Sequence, residues 1–135
     1  MTKKNDRGGK RLAAYEPDPV PNDSVSMHDL VIVDIQNYSI EIGEEHKNAC
    51  SNVVGDLKDR RQFGLDKYGT LLQAGNGRNA LLDAYQEVQD MLVYLKQAIV
   101  ENNNKKNYVG YELLNIYSRT MQSAIRLRQL LNVVK

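Results

Sequence analysis

From Asn79 to about Asn102, apolar side chains return every three or four residues: Leu81, Tyr85, Val88, Leu92, Leu95 and Ile99. At ~100° per residue they fall on one face of a helix. A second run, from about Tyr108 to Val133, repeats the pattern with Leu114, Tyr117, Met121, Ala124, Ile125 and Leu131. NNNKKN separates the two runs, and Asn79 is a good N-cap for the first. Long amphipathic stretches with a short polar break predict an all-α chain of three or four helices.

The upstream half is less regular. LVIVDI (30–35) is β-branched enough for a short strand. Ser26 followed by Asp29 resembles a capping box, and Val31, Ile35, Tyr38 and Ile42 then recur at helical spacing, so helix is favoured over 27–47. Residues 48–63 read as a further helix with Cys50, Val53, Val54 and Leu57 on its apolar side. Gly64 is expected to end it. GLDKYGTLLQAGNGR (64–78) is then a long connection rich in turn signals.

Residues 1–26 form a different compositional zone. Lys3, Lys4, Arg7, Lys10 and Arg11 face only Asp6 over the first eleven residues, and Gly8-Gly9, Pro17, Pro19 and Pro21 follow. Such a segment buries little and is expected to be a mobile or extended arm. It could also pack on a neighbouring subunit or on phosphate groups. Residues 27–135 are expected to form the helical domain. The whole chain, 135 residues with a net charge of +1, gives no global charge that favours nucleic acid or a membrane. One cysteine, Cys50, allows no intrachain disulfide. With no long apolar run and no secretory signal, a cytoplasmic protein without membrane contact is expected.

Within the first strong helix, Asp83, Glu87 and Asp90 lie four and then three residues apart, about 120° from the centre of its apolar face. No lysine or arginine occurs from Asn79 to Leu95. A solvated acidic face usually carries interspersed cations at i+4, and Leu82, Val93 and Tyr94 lie off the apolar stripe. This helix is therefore expected to be wrapped by neighbours on most sides. Two carboxylates ~5 Å apart repel by roughly 3 kcal/mol at an effective dielectric near 20. A partly buried row of three needs a cation, and a hard divalent metal with oxygen ligands and waters fits.

Asp56 and Asp59 form a second acidic pair at i, i+3. If the two helices paired antiparallel, Asp56 would fall opposite Glu87 and Asp59 opposite Asp83. Glu41 and Glu44 are a rival pair. On one straight helix Glu41 would lie ~27 Å from Asp59, so a bend or a second subunit would be needed to bring that pair in. His28 and His46 have no metal-ligand spacing.

The stretch DLKDRRQFGLDKYGTLLQAGNGRNALLDAYQEVQDMLVYLKQAI (56–99) resembles phage proteins of the MazG-like, all-α nucleotide pyrophosphohydrolase superfamily. Glu87-Val-Gln-Asp90 followed by MLVYL is similar to the superfamily's E-x-x-D helix, and KYGT and NGR resemble its phage branch. The likeness covers about a third of the chain.

It implies a helical bundle assembled as a homo-oligomer, dimer or tetramer. It also implies Mg²⁺- or Mn²⁺-dependent cleavage of a (deoxy)nucleoside triphosphate to monophosphate and pyrophosphate, in phage nucleotide-pool control. Some phage members act on (d)GTP. Glu87 and Asp90 carry over directly as metal ligands. At the usual upstream distance this chain has Asp56 and Asp59, aspartates where the family has glutamates. Glu41 and Glu44 carry the literal E-x-x-E but lie further away. Asp83 is a further candidate ligand, and an upstream carboxylate, Asp56 or Glu44, would serve as base.

By position, Arg78 and the start of helix 79–101 would face the phosphate tail. Lys67 would add charge, Tyr68 would stack on a base or sugar, and Asn76 belongs to the same substrate-binding connection unless it only turns the chain. Two other classes compete. One is a non-catalytic helical oligomer acting as an interaction protein. The other is a nucleic-acid binder using the basic arm with Arg119, Arg126 and Arg128, which the balanced charge and the acidic row disfavour.

Overall fold

The computed structural model describes the backbone of residues 3–4 and 15–16, and residues 17–103 and 105–134 with their side chains. Four helices dominate: α1 (Met27–Glu41), α2 (Glu44–Tyr68), α3 (Ala80–Glu101) and α4 (Tyr108–Val133). The expected all-α class holds. Two two-residue strands, β1 (Lys3–Lys4) and β2 (Tyr15–Glu16), pair antiparallel with Lys3 opposite Glu16 and Lys4 opposite Tyr15. Two compact units divide the chain between Arg78 and Asn79. Among the described residues no helix is long and apolar enough to cross a membrane.

In the first unit, α1 packs on α2 as a helical hairpin. LVIVDI is helical, not a strand. Ile32 is the buried residue of α1 and Val54 that of α2. The expected capping box does not form: Ser26 is the N-cap residue but its side chain makes no cap hydrogen bond. Asp29 turns instead toward α2, where the Arg61 Nε lies 2.9 Å from its Oδ1.

The expected helix boundaries in this unit need correction. Residues 27–47 are not one helix, because Ile42 and Gly43 break it, both in extended backbone. Downstream, α2 begins at Glu44 and runs through Gly55 and Gly64 to Tyr68. Gly69 ends it instead, at φ +74°, and its N–H donates to the Leu65 carbonyl at 2.8 Å. A glycine inside a helix costs only about 1 kcal/mol relative to alanine. Termination needs the left-handed conformation that follows the last turn.

Residues 17–26, expected as part of a mobile or extended arm, run along the 70–78 connection. The Val20 N–H donates to the Asn76 carbonyl at 2.9 Å and the Met27 N–H to the Leu72 carbonyl at 2.8 Å. Gln73 clasps Asn22 on both edges. Its Nε2 donates to the Asn22 and Ser24 carbonyls at 2.7 and 2.6 Å, and its Oε1 accepts from the Asn22 N–H at 3.0 Å. Asn22 Nδ2 donates to the Ala74 carbonyl at 2.8 Å. Prolines here cost nothing, since each lacks an N–H that would otherwise need a partner.

In the second unit, α3 packs on α4. Both N-caps are asparagines: Asn79 Oδ1 accepts from the Leu82 N–H at 3.1 Å, and Asn107 Oδ1 from the Gly110 N–H at 2.8 Å. The predicted spans 79–101 and 108–133 agree with the helices. Leu82 and Ile99 are buried on α3; Gly110, Thr120 and Ala124 are buried on α4. At Gly110 a Cβ would collide with the Lys105 carbonyl oxygen, so this position admits only glycine. Thr120 satisfies its hydroxyl by donating to the Ile116 carbonyl at 2.8 Å.

Candidate active site

The row of carboxylates sits on α3 as its spacing predicted. Asp83 lies in the first helical turn, where a negative charge meets the positive end of the helix dipole. Glu87 and Asp90, one turn apart, line an open groove of about 310 Å³ with Met91, Tyr94 and Leu95. Glu87 is exposed; Asp83 and Asp90 are half-buried. The expectation that neighbours wrap most of this helix fails within one copy of the chain, since Val93 and Tyr94 are 66% and 68% exposed. Acidic groups and apolar surface thus lie side by side on the open part of α3.

The two upstream pairs differ in geometry. Asp56 and Asp59 are both exposed, one turn apart in the middle of α2. Glu41 is the last residue of α1 and Glu44 the first of α2. The break at Ile42–Gly43 separates them, so they do not stack along one helix face as an i, i+3 pair would. Glu44 also accepts from Lys47 Nζ at 2.8 Å. Among the described residues no group of three or more His, Cys, Asp or Glu side chains stands ready to hold a metal ion. Glu87 with Asp90, and Asp56 with Asp59, are thus pairs. Their oxygens suit a hard ion that fills its remaining positions with water.

The predicted substrate-binding residues separate into two groups. Lys67 and Tyr68 are the last residues of α2, with the Lys67 ammonium 5.2 Å from the Tyr68 ring centre. Both are exposed. Asn76 is 6% exposed and closes its own turn: its Oδ1 accepts from the Arg78 N–H at 3.1 Å, and its carbonyl accepts from Val20. It acts on the backbone. The Arg78 guanidinium donates through Nη1 to the Pro17 carbonyl at 2.7 Å. That bond ties the end of the connection to the segment before α1. At the start of α3, the Asn79 side chain already occupies the Leu82 N–H.

Two features of this region were not singled out from the sequence. One is the clasp between Asn22 and Gln73, which joins residues fifty-one apart and has no local signature. The other is Arg60 and Phe63. The Arg60 guanidinium lies 5.1 Å from the Phe63 ring centre and the Lys67 ammonium 5.7 Å from it. The spacings Arg60–Phe63 and Phe63–Lys67, three and four residues, were the available signal. Compared with protein-family models, curated proteins and solved structures, the chain matches none.

Proposed function

We propose that this chain is a metal-dependent nucleoside-triphosphate pyrophosphohydrolase. It cleaves a (deoxy)nucleoside triphosphate, a purine such as dGTP, to the monophosphate and pyrophosphate, and serves phage nucleotide-pool control. The observation that carries the reading is Glu87-Val-Gln-Asp90 on a regular helix. The two carboxylates are one turn apart in a shared groove, and an apolar continuation follows them. The resemblance of 56–99 to the MazG-like superfamily supplies the chemistry.

Glu87 and Asp90 would hold Mg²⁺ or Mn²⁺, with Asp83 a further candidate ligand. Of the two upstream pairs, Asp56 and Asp59 are preferred because they alone stack along one helix. Such an ion, when bound, would neutralise phosphate charge and supply a water of lowered pKa. A carboxylate at the metal would take the proton of the attacking water. Lys67 meets the phosphate tail. The homo-oligomer that the resemblance implies is supported by apolar side chains left open on separate helices, among them Ile40 on α1 and Leu114 and Ile125 on α4.

Pyrophosphate release from a panel of eight (d)NTPs, with and without Mn²⁺, tests the reading. Release from at least one, dependent on the metal and abolished in Glu87→Gln, is the expected result. No release from any of them overturns it. The second reading, a non-catalytic helical oligomer, is favoured by the same open apolar faces. It predicts a melting temperature indifferent to Mn²⁺.

A further inference from the structure

At ~100° per residue, Asp56, Arg60, Phe63 and Lys67 lie within about 40° of one line along α2. Asp59 borders them. Phe63 is the only phenylalanine of the chain, and it stands 51% exposed rather than in the core. Among the described residues, the contacts made by Arg60 and Lys67 are to aromatic rings rather than to carboxylates: Arg60 over Phe63, Lys67 over Phe63 and Tyr68. The nearby acid Asp66 is held by Gln62 Nε2 at 2.8 Å. Two cations and a half-exposed ring therefore sit together, and among the described residues neither cation is paired with a carboxylate. Beyond them on the same side lie Asp56 and Asp59.

We propose that this face of α2 is the nucleotide-docking surface, with the base stacked on Phe63 and the triphosphate met by Arg60 and Lys67. The inference rests on the proposed pyrophosphohydrolase reading and adds Arg60 and Phe63 to it. Its physical basis is the pairing of groups. An aromatic ring offers dispersion and quadrupole contact to any base, while guanidinium and ammonium groups offer charge-assisted hydrogen bonds to phosphate. A single helix face carries both. From Asp56 to Phe63 the helix rises ~10 Å, a span on the scale of one mononucleotide. Arg60 and Lys67 have long stems and can leave the ring for phosphate when a base arrives. Stacking tolerates every base, so this face sets affinity and leaves base choice to other residues.

Because the chain has one phenylalanine, 4-fluorophenylalanine labelling of the full-length protein places a single fluorine at position 63. The labelled protein is titrated in Mg²⁺ with the α,β-methylene analogue of dGTP, with inorganic tripolyphosphate and with a short oligothymidylate. Hydrolysis of dGTP is measured in parallel. The expected result is a saturable shift of the fluorine signal with the analogue and a smaller shift with tripolyphosphate. Phe63→Leu should raise KM for all dNTPs roughly 5- to 100-fold, with kcat within about threefold.

Hydrolysis without any movement of the signal overturns the docking face and leaves the enzyme reading intact. Saturable movement without hydrolysis supports the face and overturns the enzyme. Neither response overturns both. Movement with the oligonucleotide but not with the analogue overturns the choice of ligand. Should Phe63→Leu fail to fold, the fluorine titration of the otherwise unaltered chain still decides.

Discussion

Glu87 and Asp90 are where residue chemistry speaks most directly. Both are carboxylates one helical turn apart, and Glu87 is exposed. Removing the Glu87 charge while keeping its size should cost turnover without cost to the fold. Glu87→Gln is expected to lower pyrophosphate release at least ~100-fold, since even outer-shell changes at metal sites cost 10- to 100-fold. Its circular dichroism should match that of the parent. Release within threefold of the parent would remove Glu87 from the site. Gln73 works differently: three of its hydrogen bonds reach Asn22 and Ser24. These bonds are solvent-exposed, so Gln73→Ala should cost only about 1–2 kcal/mol. Amide exchange is the sharper readout. The Val20 and Met27 N–H groups should exchange at least about tenfold faster once the clasp is gone. Unchanged exchange at both would mean that the backbone bonds alone hold the segment.

At the scale of elements, glycine position separates three behaviours. Gly69 ends α2 at φ +74°, so Gly69→Ala forces an alanine into the left-handed region and should cost about 1 kcal/mol. Gly64 lies inside α2, and a Cβ there would meet nothing within 4 Å. Gly64→Ala should therefore stabilise by about 0.5–1 kcal/mol. Thermal melts of the two variants should move in opposite directions by a few degrees. A drop for both would mean that α2 ends at Gly64 after all. Gly110→Ala is a third case, because its Cβ would strike the Lys105 carbonyl at the start of α4. It should be the most damaging of the three, lowering the melting temperature further than Gly69→Ala. The row of carboxylates on α3 and the ring-and-cation face on α2 depend on these helices being continuous. A premature stop at Gly64 would detach Lys67 and Tyr68 from the face that carries Phe63.

For the whole molecule, metal and assembly are the testable levels. If carboxylate pairs hold a divalent ion, Mn²⁺ at about 100 times its Kd should stabilise the fold by about 2.7 kcal/mol through mass action. A melting temperature unchanged from micromolar to millimolar Mn²⁺ would count against the metal site. Sedimentation should show a species heavier than the 15.3 kDa chain. Open apolar residues such as Ile40, 78% exposed, are surface that such an assembly would cover. A monomer at every concentration would contradict the proposed oligomer.

The helical class, the spans of α3 and α4 and the Asn79 cap were legible because each rests on local rules: apolar period, capping chemistry and polar breaks. The acidic row was legible for the same reason, as its spacing is that of one helix. Sequence periodicity could not decide the end of α2, where Gly64 and Gly69 look alike until the backbone shows which is left-handed. Nor could it decide the fate of Asp29, drawn from a cap to Arg61 by a neighbouring helix. The placement of residues 17–26 likewise depends on Gln73, fifty-one positions from Asn22. Contacts between residues far apart in sequence have no local period, so only the tertiary structure decided them.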